Sequence, residues 1–370
     1  MVEIAVIGGG FVGQAFAIAA ARRGYRVDLY DRKPRPVMPA ELSSNVIAVN
    51  PSSSDFLEQL GAWQCLPETF RMPYRRMEVL DGTGTGAVTF SAAEAGLPQL
   101  GHIVDQAALL AALAAAADSQ KNLCMNWASD LADDLPEAEL LVAADGAHSM
   151  TREKLGIRKI SYRYQQTATV CMARFDLPHE GVARQWFHEQ GPVALLPLSE
   201  PTTVAVVWSS SESLQDLDDG AFRLRLEEAI EGAAGDVLQT GPRFSFPLIQ
   251  QHALQYVQPG VALLGDAAHT IHPLAGQGAN LGFADARRLA TEIASARLEG
   301  RSPGDLLLLK RFERARKPEN HLVALAMEGF HRLFTNRQPV IELARNSGLR
   351  LFDENMSLKR LAISVATGRV

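Results

Sequence analysis

The sequence predicts an α/β fold in which a Rossmann-like nucleotide-binding domain is interleaved with a mixed-sheet domain and followed by C-terminal helices. Three observations support this. An apolar strand near the amino terminus runs into a glycine-rich turn, two later apolar strands each lead to an acidic residue, and residues 310–370 carry helix-spaced apolar side chains. Strands that alternate with helices favour a parallel sheet, whose carboxyl edge is the usual place for a nucleotide.

The amino-terminal segment has the layout of a dinucleotide-binding unit. Residues 4–7 form an apolar strand, a G-x-G-x-x-G pattern follows, and a helix is predicted over residues 11–23. A second strand over residues 25–30 leads to Asp31, at roughly the twenty-residue offset at which an acid binds a ribose hydroxyl. The glycines of the pattern are Gly8, Gly10 and Gly13. They permit a tight turn, close approach to a pyrophosphate and close helix packing. For Asp31, the alternative is that it is a solvated acid at the end of a strand, with no ligand.

The most specific segment spans residues 261–282. Its apolar strand leads to Asp266, then to a loop rich in Pro and Gly and to a helix that starts at Gly278, Ala279 and Asn280. A carboxylate at this point can accept hydrogen bonds from sugar-like hydroxyls. The free N–H groups of the helix start can face an anionic centre such as the edge of a reduced flavin. The alternative is a glycine-rich strand-to-helix turn with no ligand.

A third strand, residues 139–143, leads into the pattern Ala-Asp-Gly-x-x-Ser-x-x-Arg, which contains Asp145 and Arg152. Together the three segments resemble the flavin-dependent aromatic hydroxylases of the para-hydroxybenzoate hydroxylase type, in order and spacing, over roughly residues 3–290. The string at residues 272–282 is most similar to the ubiquinone-biosynthesis branch, the polyprenylphenol hydroxylases. Supporting similarities lie at residues 60–63, 101–106 and 246–248.

This resemblance implies an FAD-dependent monooxygenase. NADH, NADPH or another donor would reduce the flavin, and one oxygen atom of O2 would enter an electron-rich ring. The implied substrate is a hydrophobic aromatic molecule, a polyprenylated phenol of ubiquinone biosynthesis. Three alternatives stay open: an aromatic hydroxylase of another pathway, a flavin oxidoreductase without oxygen insertion, and a flavoprotein that is not an enzyme.

The resemblance also assigns roles to residues. The expected cofactor-binding residues are Gly8, Gly10, Gly13, Asp31, Arg32, Gln106, Asp145, Asp266, Gly278, Ala279 and Asn280. The expected catalytic residues, at the ring face and the pyrimidine edge, are Pro273, Gly278 and Asn280. Candidates for the substrate pocket are Trp186, Leu195, Pro197 and Trp208, with Phe187 and Leu196 beside them, and core packing is an equal alternative. Asn45 stands where the family has an Arg, so that phosphate contact is expected to be missing or to be replaced by Arg32 or Arg35.

The order of the motifs predicts discontinuous domains. The Rossmann-like FAD-binding domain is assigned to residues 1–75, 101–160 and 253–300, the mixed-sheet substrate domain to 76–100 and 161–252, and the C-terminal helical segment to 301–370. The substrate domain is expected to hold a hairpin, strands and one helix. These are the hairpin 76–80 with 87–90, strands at 167–175, 184–187, 193–198, 203–208 and 243–246, and a helix at 219–232.

Composition excludes several classes of protein. The chain has 47% apolar residues and no apolar run of membrane-span length, and its three cysteines are widely separated. We therefore expect a cytoplasmic protein with reduced thiols, and the strand that begins at residue 3 leaves no room for a cleaved signal. We expect no metal site, because His269 and His272 lack a third ligand cluster and Pro273 interrupts the helix that would align them. No nucleic-acid partner is expected.

Charge is unevenly distributed along the chain. Residues 310–370 contain twelve Lys and Arg against six Asp and Glu, a balance of +6, whereas the whole chain carries −6, so residues 1–309 carry −12. The basic segment also has helix-spaced apolar residues, including Leu322, Leu325, Phe330 and Leu333. Such a segment can bind an anionic membrane surface, on the inner face of the membrane, or a biosynthetic complex. The alternative, slightly favoured, is helices packed on the body with solvated charges. The oligomeric state is not predicted.

Overall fold

The computed structural model describes residues 2–82, 84–131, 134–271, 277–334 and 338–369. The α-helices in these ranges are α1 (Phe11–Arg22), α2 (Pro51–Gln59), α3 (Gln106–Asp118), α4 (Met150–Lys154), α5 (Asp219–Ala229), α6 (Gln277–Leu298), α7 (Leu306–Phe334), α8 (Pro339–Glu354) and α9 (Met356–Thr367). The strands are β1 (Ile4–Ile7), β2 (Val27–Asp31), β3 (Val46–Val49), β4 (Arg71–Tyr74), β5 (Arg76–Asp81), β6 (Ala87–Ser91), β7 (Gly101–Asp105), β8 (Leu123–Trp127), β9 (Leu140–Ala143), β10 (Lys159–Phe175), β11 (Val182–His188), β12 (Gly191–Pro197), β13 (Thr203–Ser210), β14 (Val237–Thr240), β15 (Phe244–Ala253), β16 (Val257–Gln258), β17 (Val261–Leu263) and β18 (His269–Thr270).

The first sheet has the order β16-β17-β9-β1-β2-β8. Strands β17, β9, β1 and β2 are mutually parallel neighbours, with Ile4 opposite both Val27 and Leu140. The carboxyl ends of parallel neighbours meet at one edge, so the four loops that carry the sequence motifs leave the sheet side by side. Apolar side chains of α1, α3 and α6 bury the sheet in the largest core cluster of the described chain.

The second sheet has nine strands, in the order β18-β15-β10-β13-β12-β11-β5-β6 with β14 beside β10. Its pairings are antiparallel except for β11 with β5, which makes it a mixed sheet. The predicted hairpin of β5 and β6 is present, with Arg76 opposite Ser91. A small antiparallel sheet, β3-β7-β4, completes the architecture. The predicted α/β class, with a Rossmann-like domain, a mixed-sheet domain and C-terminal helices, is confirmed; the domain boundaries stay a prediction.

Close contacts at Gly13 of α1 and Gly282 of α6 hold the glycine-rich loop in place. A Cβ on Gly13 would overlap the carbonyl of Gly8, and a Cβ on Gly282 would overlap the side chain of Val12. Gly8 also adopts a φ of +107°, a conformation that favours glycine. Glycine at these positions therefore lets α1 pack closely on β1 and on α6.

Helix α7 is joined to the loop after β17 by a buried ionic cluster. Asp285 of α6 is fully buried; its Oδ2 accepts from the backbone N–H of Gly265 (3.2 Å) and lies 2.5 Å from Nε2 of His269. Its Oδ1 accepts from Arg316 Nε at 2.8 Å and from Asn320 Nδ2 at 3.2 Å. Burial alone would raise the pKa of Asp285, but His269 and Arg316 lower it to about 2. The carboxylate is thus an anion that holds α7 and the loop together.

The packing of α7 agrees with the slightly favoured expectation that the C-terminal helices pack on the body, but not all of their charges are solvated. Arg316 is 6% exposed, and the ammonium of Lys317 donates to the carbonyl of Leu254. Phe312 and Phe334 are buried, so α7 packs on the body along part of its length. The exposed apolar side chains of the C-terminal helices include Leu322, Leu325, Phe330, Leu333, Leu358 and Leu361. None of the described helices is both long and apolar enough to cross a membrane.

Replacement of Asp285 by Ala should remove the buried carboxylate partner of Arg316, which keeps only the exposed Glu319 as an ionic partner among the described residues, and lower the free energy of unfolding by about 3–5 kcal/mol. Urea denaturation followed by circular dichroism measures this loss. The control is Arg225→Met, which removes the exposed ion pair with Glu212 and should change stability by less than about 1 kcal/mol. Equal effects in the two variants would contradict the role given to Asp285.

Candidate functional site

A cavity of about 620 Å³ extends from the carboxyl edge of the parallel sheet to one face of the nine-stranded sheet. This volume is typical of ligand sites. Five residues predicted to bind the cofactor line it together: Gly10, Gln106, Asp266, Gly278 and Ala279. The parallel strand order therefore assembles residues that are up to 269 positions apart in the sequence.

The glycine-rich loop and Asp31 form one hydrogen-bonded unit. Asp31 Oδ2 accepts from the backbone N–H of Gly9 at 2.5 Å, and its Oδ1 accepts from the N–H of Lys33 at 2.7 Å. Gly8 and Gly13 serve close packing, whereas Gly10 lines the cavity. The sequence reasoning missed Trp127, which pairs with Asp31 in the sheet and whose ring lies where a Cβ on Gly9 would be.

The start of α1 is suited to an anionic group. Its N-cap residue, Gly10, supplies no side-chain cap, and the first turn contains no acidic residue. The first backbone N–H groups of the helix and its positive dipole end are therefore available to a phosphate. A Cβ on Gly10 would meet no protein atom within 4 Å, so the backbone is open to close approach at this point.

Asp266 lies after β17 with its side chain exposed to the cavity. The surrounding protein raises the pKa of this carboxyl by desolvation; the nearby His269 lowers it and Asp285 raises it further. A carboxyl group in this position can accept hydrogen bonds from hydroxyls of a bound ligand. Gly278 and Ala279 line the same cavity at the start of α6.

Arg152 connects two of the motif loops. It is 1% exposed; its Nη1 donates to the carbonyl of Ala267 at 2.8 Å and its Nη2 to that of Ala147 at 3.2 Å. Asp145 Oδ2 accepts from the N–H and the hydroxyl of Thr151. Its Oδ1 is buried and has no hydrogen-bond partner within the described ranges. Both residues therefore shape the loop after β9, and neither lines the cavity.

Asn280 has a different place from the predicted one. Its side chain is 5% exposed and is absent from the described cavity lining. Its Oδ1 accepts from the N–H of Asn50 at 3.0 Å, and its Nδ2 donates to the carbonyl of Ala48 at 2.8 Å. The side chain thus fastens the start of α6 to the end of β3, which makes Asn280 a positioning residue; Gly278 and Ala279 occupy the cavity wall instead.

Two further predicted contacts lie away from the cavity. Arg32 is exposed and does not line it, and Arg35 forms a surface ion pair with Asp118 at 2.5 Å. Asn45 does line the cavity, and its carbonyl accepts from the N–H of Gln106. Pro273, the predicted catalytic proline, lies outside the described residues.

Of the predicted pocket residues, Leu196 lines the cavity and the others do not. Trp186, Leu195 and Trp208 are buried in a core cluster that includes Phe222 of α5, and Pro197 is also buried. Alternation of side chains along the strands explains this placement, because successive residues point to opposite faces of a sheet. The opposite face lines the cavity with Gln185, Ala194, Leu196 and Val207.

Of the two histidines considered as metal ligands, the structure describes one. His269 faces Asp285, and His272 lies outside the described ranges. In the part of the chain that the structure describes, no three His, Cys, Asp or Glu side chains are grouped to hold a metal ion. The cavity edge has instead the features of a dinucleotide site: open glycine backbones at Gly10, Gly146 and Gly278, the uncapped start of α1, and two carboxylates at strand ends.

Comparison with known proteins agrees with this geometry. The family model described as FAD binding domain matches residues 129–324, and that described as NAD(P)-binding Rossmann-like domain matches residues 6–40. The chain is 34% identical to the 3-demethoxyubiquinol 3-hydroxylase of Escherichia coli K12, over 99% of this chain and 98% of that protein. It is 32% identical to the ubiquinone hydroxylase UbiL of Rhodospirillum rubrum, over 99% and 89%, and 29% identical to the human ubiquinone biosynthesis monooxygenase COQ6, over 99% and 92%.

Solved structures support the fold. The p-nitrophenol 4-monooxygenase PnpA of Pseudomonas putida superposes with a TM-score of 0.81 at 16% identity, covering 100% of this chain and 99% of PnpA. The probable FAD-dependent monooxygenase PqsL of Pseudomonas aeruginosa gives a TM-score of 0.77 at 19% identity, covering 94% and 99%. The sequence relatives, the family match and the cavity lead to one conclusion: the chain belongs to the FAD-binding aromatic monooxygenase family and is an FAD-dependent hydroxylase.

Proposed function

We propose that this hydroxylase acts on a phenol with a long apolar side chain, a polyprenylated intermediate of ubiquinone biosynthesis. The apolar wall of the cavity is the observation that carries the proposal. Beyond the cofactor end, the lining is built from aliphatic side chains of two sheets, the small antiparallel sheet and the nine-stranded sheet, including Ala48, Ile103, Val170, Leu196, Val207 and Leu248. Burial of a prenyl chain against such a wall contributes about 25 cal/mol per Å² of apolar surface. The names of the relatives in Escherichia coli, Rhodospirillum rubrum and human support the same pathway.

The described residues give the flavin a set of holding groups. The start of α1 at Gly10 would take the pyrophosphate, Asp31 the adenosine ribose, and Asp266 the hydroxyls of the ribityl chain. Gly278 and Ala279, at the positive end of α6, would face the pyrimidine edge of the flavin. The helix dipole would stabilise the negative charge that this edge carries when the flavin is reduced. Bound FAD supplies electron transfer and oxygen activation, for which we propose NADH, NADPH or another donor as reductant and O2 as co-substrate. The protein contributes orientation and an apolar wall that excludes water.

We propose the domain partition of residues 1–75, 101–160 and 253–300 for the FAD, and of 76–100 and 161–252 for the substrate. Each of the three FAD segments contributes strands to the parallel sheet. The cavity is lined by loops of the first unit and by strands of the second, so both would contact a ligand bound there.

We further propose that one face of α7 binds an anionic membrane surface, from which a prenylated substrate would enter. Leu322 and Leu325 are 66% and 67% exposed. With 3.6 residues per turn, they share a face of about 100° with exposed Leu333, Arg314 and Arg332. Apolar side chains flanked by basic ones are the composition of helices that lie on membranes.

The first prediction for this proposal concerns Asp31. Asp31→Ala should weaken FAD binding about 10- to 100-fold, because it removes the ribose acceptor and the anchor of Gly9. Titration of the apoprotein by flavin fluorescence quenching measures the affinity. Asp28→Ala, on the same strand but with a carboxylate that accepts from the hydroxyl of Tyr30, is the control and should bind FAD as the wild type does. Unchanged affinity in Asp31→Ala would contradict the assignment.

The second compares two glycines of α6. Gly278→Val should fold normally, because a Cβ there meets no protein atom, but should lower hydroxylation more than substrate affinity, because its side chain intrudes on the flavin edge. Gly282→Ala should lower the melting temperature through overlap with Val12. Stopped-flow flavin reduction and reoxidation with thermal melts separate the two effects. Wild-type rates in Gly278→Val would remove this residue from the flavin site.

The third tests the membrane face. The double variant Leu322→Ser, Leu325→Ser should float less with anionic liposomes at low salt while keeping its melting temperature and flavin content. Leu224→Ser with Leu238→Ser, which changes two exposed leucines of the mixed-sheet region, is the control and should float like the wild type. If wild-type protein does not float, α7 is not a membrane-binding helix.

A further inference from the structure

Two buried polar side chains face the cavity from the nine-stranded sheet. Gln185 of β11 is 4% exposed and Ser209 of β13 is 3% exposed, and both line the cavity. Neither the amide of Gln185 nor the hydroxyl of Ser209 has a hydrogen-bond partner among the described residues. The cross-strand neighbours of Gln185 are Ala194 and Val79, so the amide is placed in an apolar surface.

The amide of Gln185 is open to the cavity and contributes no hydrogen bond within the described protein. An apolar side chain of similar shape would pack in this wall without needing a polar partner. The position of Gln185 therefore has no explanation in stability. A ligand that hydrogen-bonds the amide inside the cavity would explain it.

Tyr74 lines the cavity from the small sheet. Its hydroxyl has no hydrogen-bond partner within the described ranges, and burial raises the pKa of Tyr74 to about 12. The phenol is therefore protonated at neutral pH and can donate a hydrogen bond. Gly101 makes room for this ring, since a Cβ there would lie 3.1 Å from Cε1 of Tyr74.

The charged groups along the described lining do not favour an anionic ligand. The guanidinium of Arg184 is paired with Glu78 at 2.9 Å. Asp266 belongs to the cofactor end and carries the same sign as a carboxylate ligand. His148, in the loop after β9, is exposed. A carboxylate on the substrate ring would lose its hydration on entry without gaining an unpaired cation among these residues.

We propose that Gln185 is a specificity-determining residue that selects a neutral ring, one whose substituents are hydroxyl, methoxy or carbonyl oxygens, over a ring with a carboxylate. The amide offers both a donor and an acceptor to such oxygens, with Tyr74 as a second donor. This inference rests on the proposed function and adds the charge state of the ring that the same site accepts.

The test uses two probes that differ only in the carboxylate: a geranylated phenol and geranylated 4-hydroxybenzoate. Binding to the FAD-loaded enzyme is followed by the change in flavin absorbance, without turnover. Wild type should bind the neutral probe at least about tenfold more tightly, and Gln185→Leu should lose about tenfold in affinity for it, the equivalent of one hydrogen bond. Gln185→Leu should keep or raise the melting temperature, which a purely structural role would not allow. Gln185→Arg should reverse the preference.

The matched control is Gln190→Leu, at an exposed position in the turn between β11 and β12, which should bind both probes as the wild type does. The proposal is overturned if Gln185→Leu binds the neutral probe as tightly as wild type, or if wild type prefers the carboxylate. If wild type and Gln185→Leu bind the neutral probe with equal affinity and both hydroxylate it, the role of Gln185 is overturned and the proposed function stays intact. If the wild-type holoenzyme binds neither probe, the substrate class and the role of Gln185 both fail.

Discussion

The parallel pairing of β17, β9, β1 and β2 is the constraint on which the site depends. These strands are adjacent and point the same way, so their carboxyl ends bring Asp266, the loop of Arg152, the glycine-rich loop and Asp31 to one edge. Each loop is then fixed by backbone contacts: Asp31 to Gly9, and Arg152 to the carbonyl of Ala267. The order of the strands brings the loops of the FAD-binding edge together, and individual side chains then fix their positions.

The C-terminal helices belong to this arrangement. Arg316 of α7 reaches Asp285, and Asp285 holds both the N–H of Gly265 and the ring of His269 in the segment that carries Asp266. The interior therefore contains a charged cluster that links the end of the chain to the cofactor edge. Because its carboxylate is desolvated, the cluster is stable only while every partner is in place.

Local sequence signals predicted the fold and the cofactor edge. Glycine spacing, strand-end acids and the β5–β6 hairpin depend on neighbouring residues, and these appear where they were expected. The cavity wall could not be predicted in the same way. Strands β11, β12 and β13 are buried on both faces, so hydrophobicity does not show which face meets the ligand, and Trp186 and Trp208 belong to the core. The partners of Asn280 and Arg316 are distant in the sequence, and no local pattern identifies them.

The central claim is that this chain inserts oxygen into an aromatic ring with a bound flavin. The most direct measurement supplies the FAD-loaded protein with NADH or NADPH, a geranylated phenol and ¹⁸O2, and analyses the product by mass spectrometry. The account predicts a hydroxylated ring with one ¹⁸O atom from dioxygen and none when the label is in water. Oxidation of the reductant in the presence of the phenol with no ¹⁸O in the product, or label that comes from water, would contradict it.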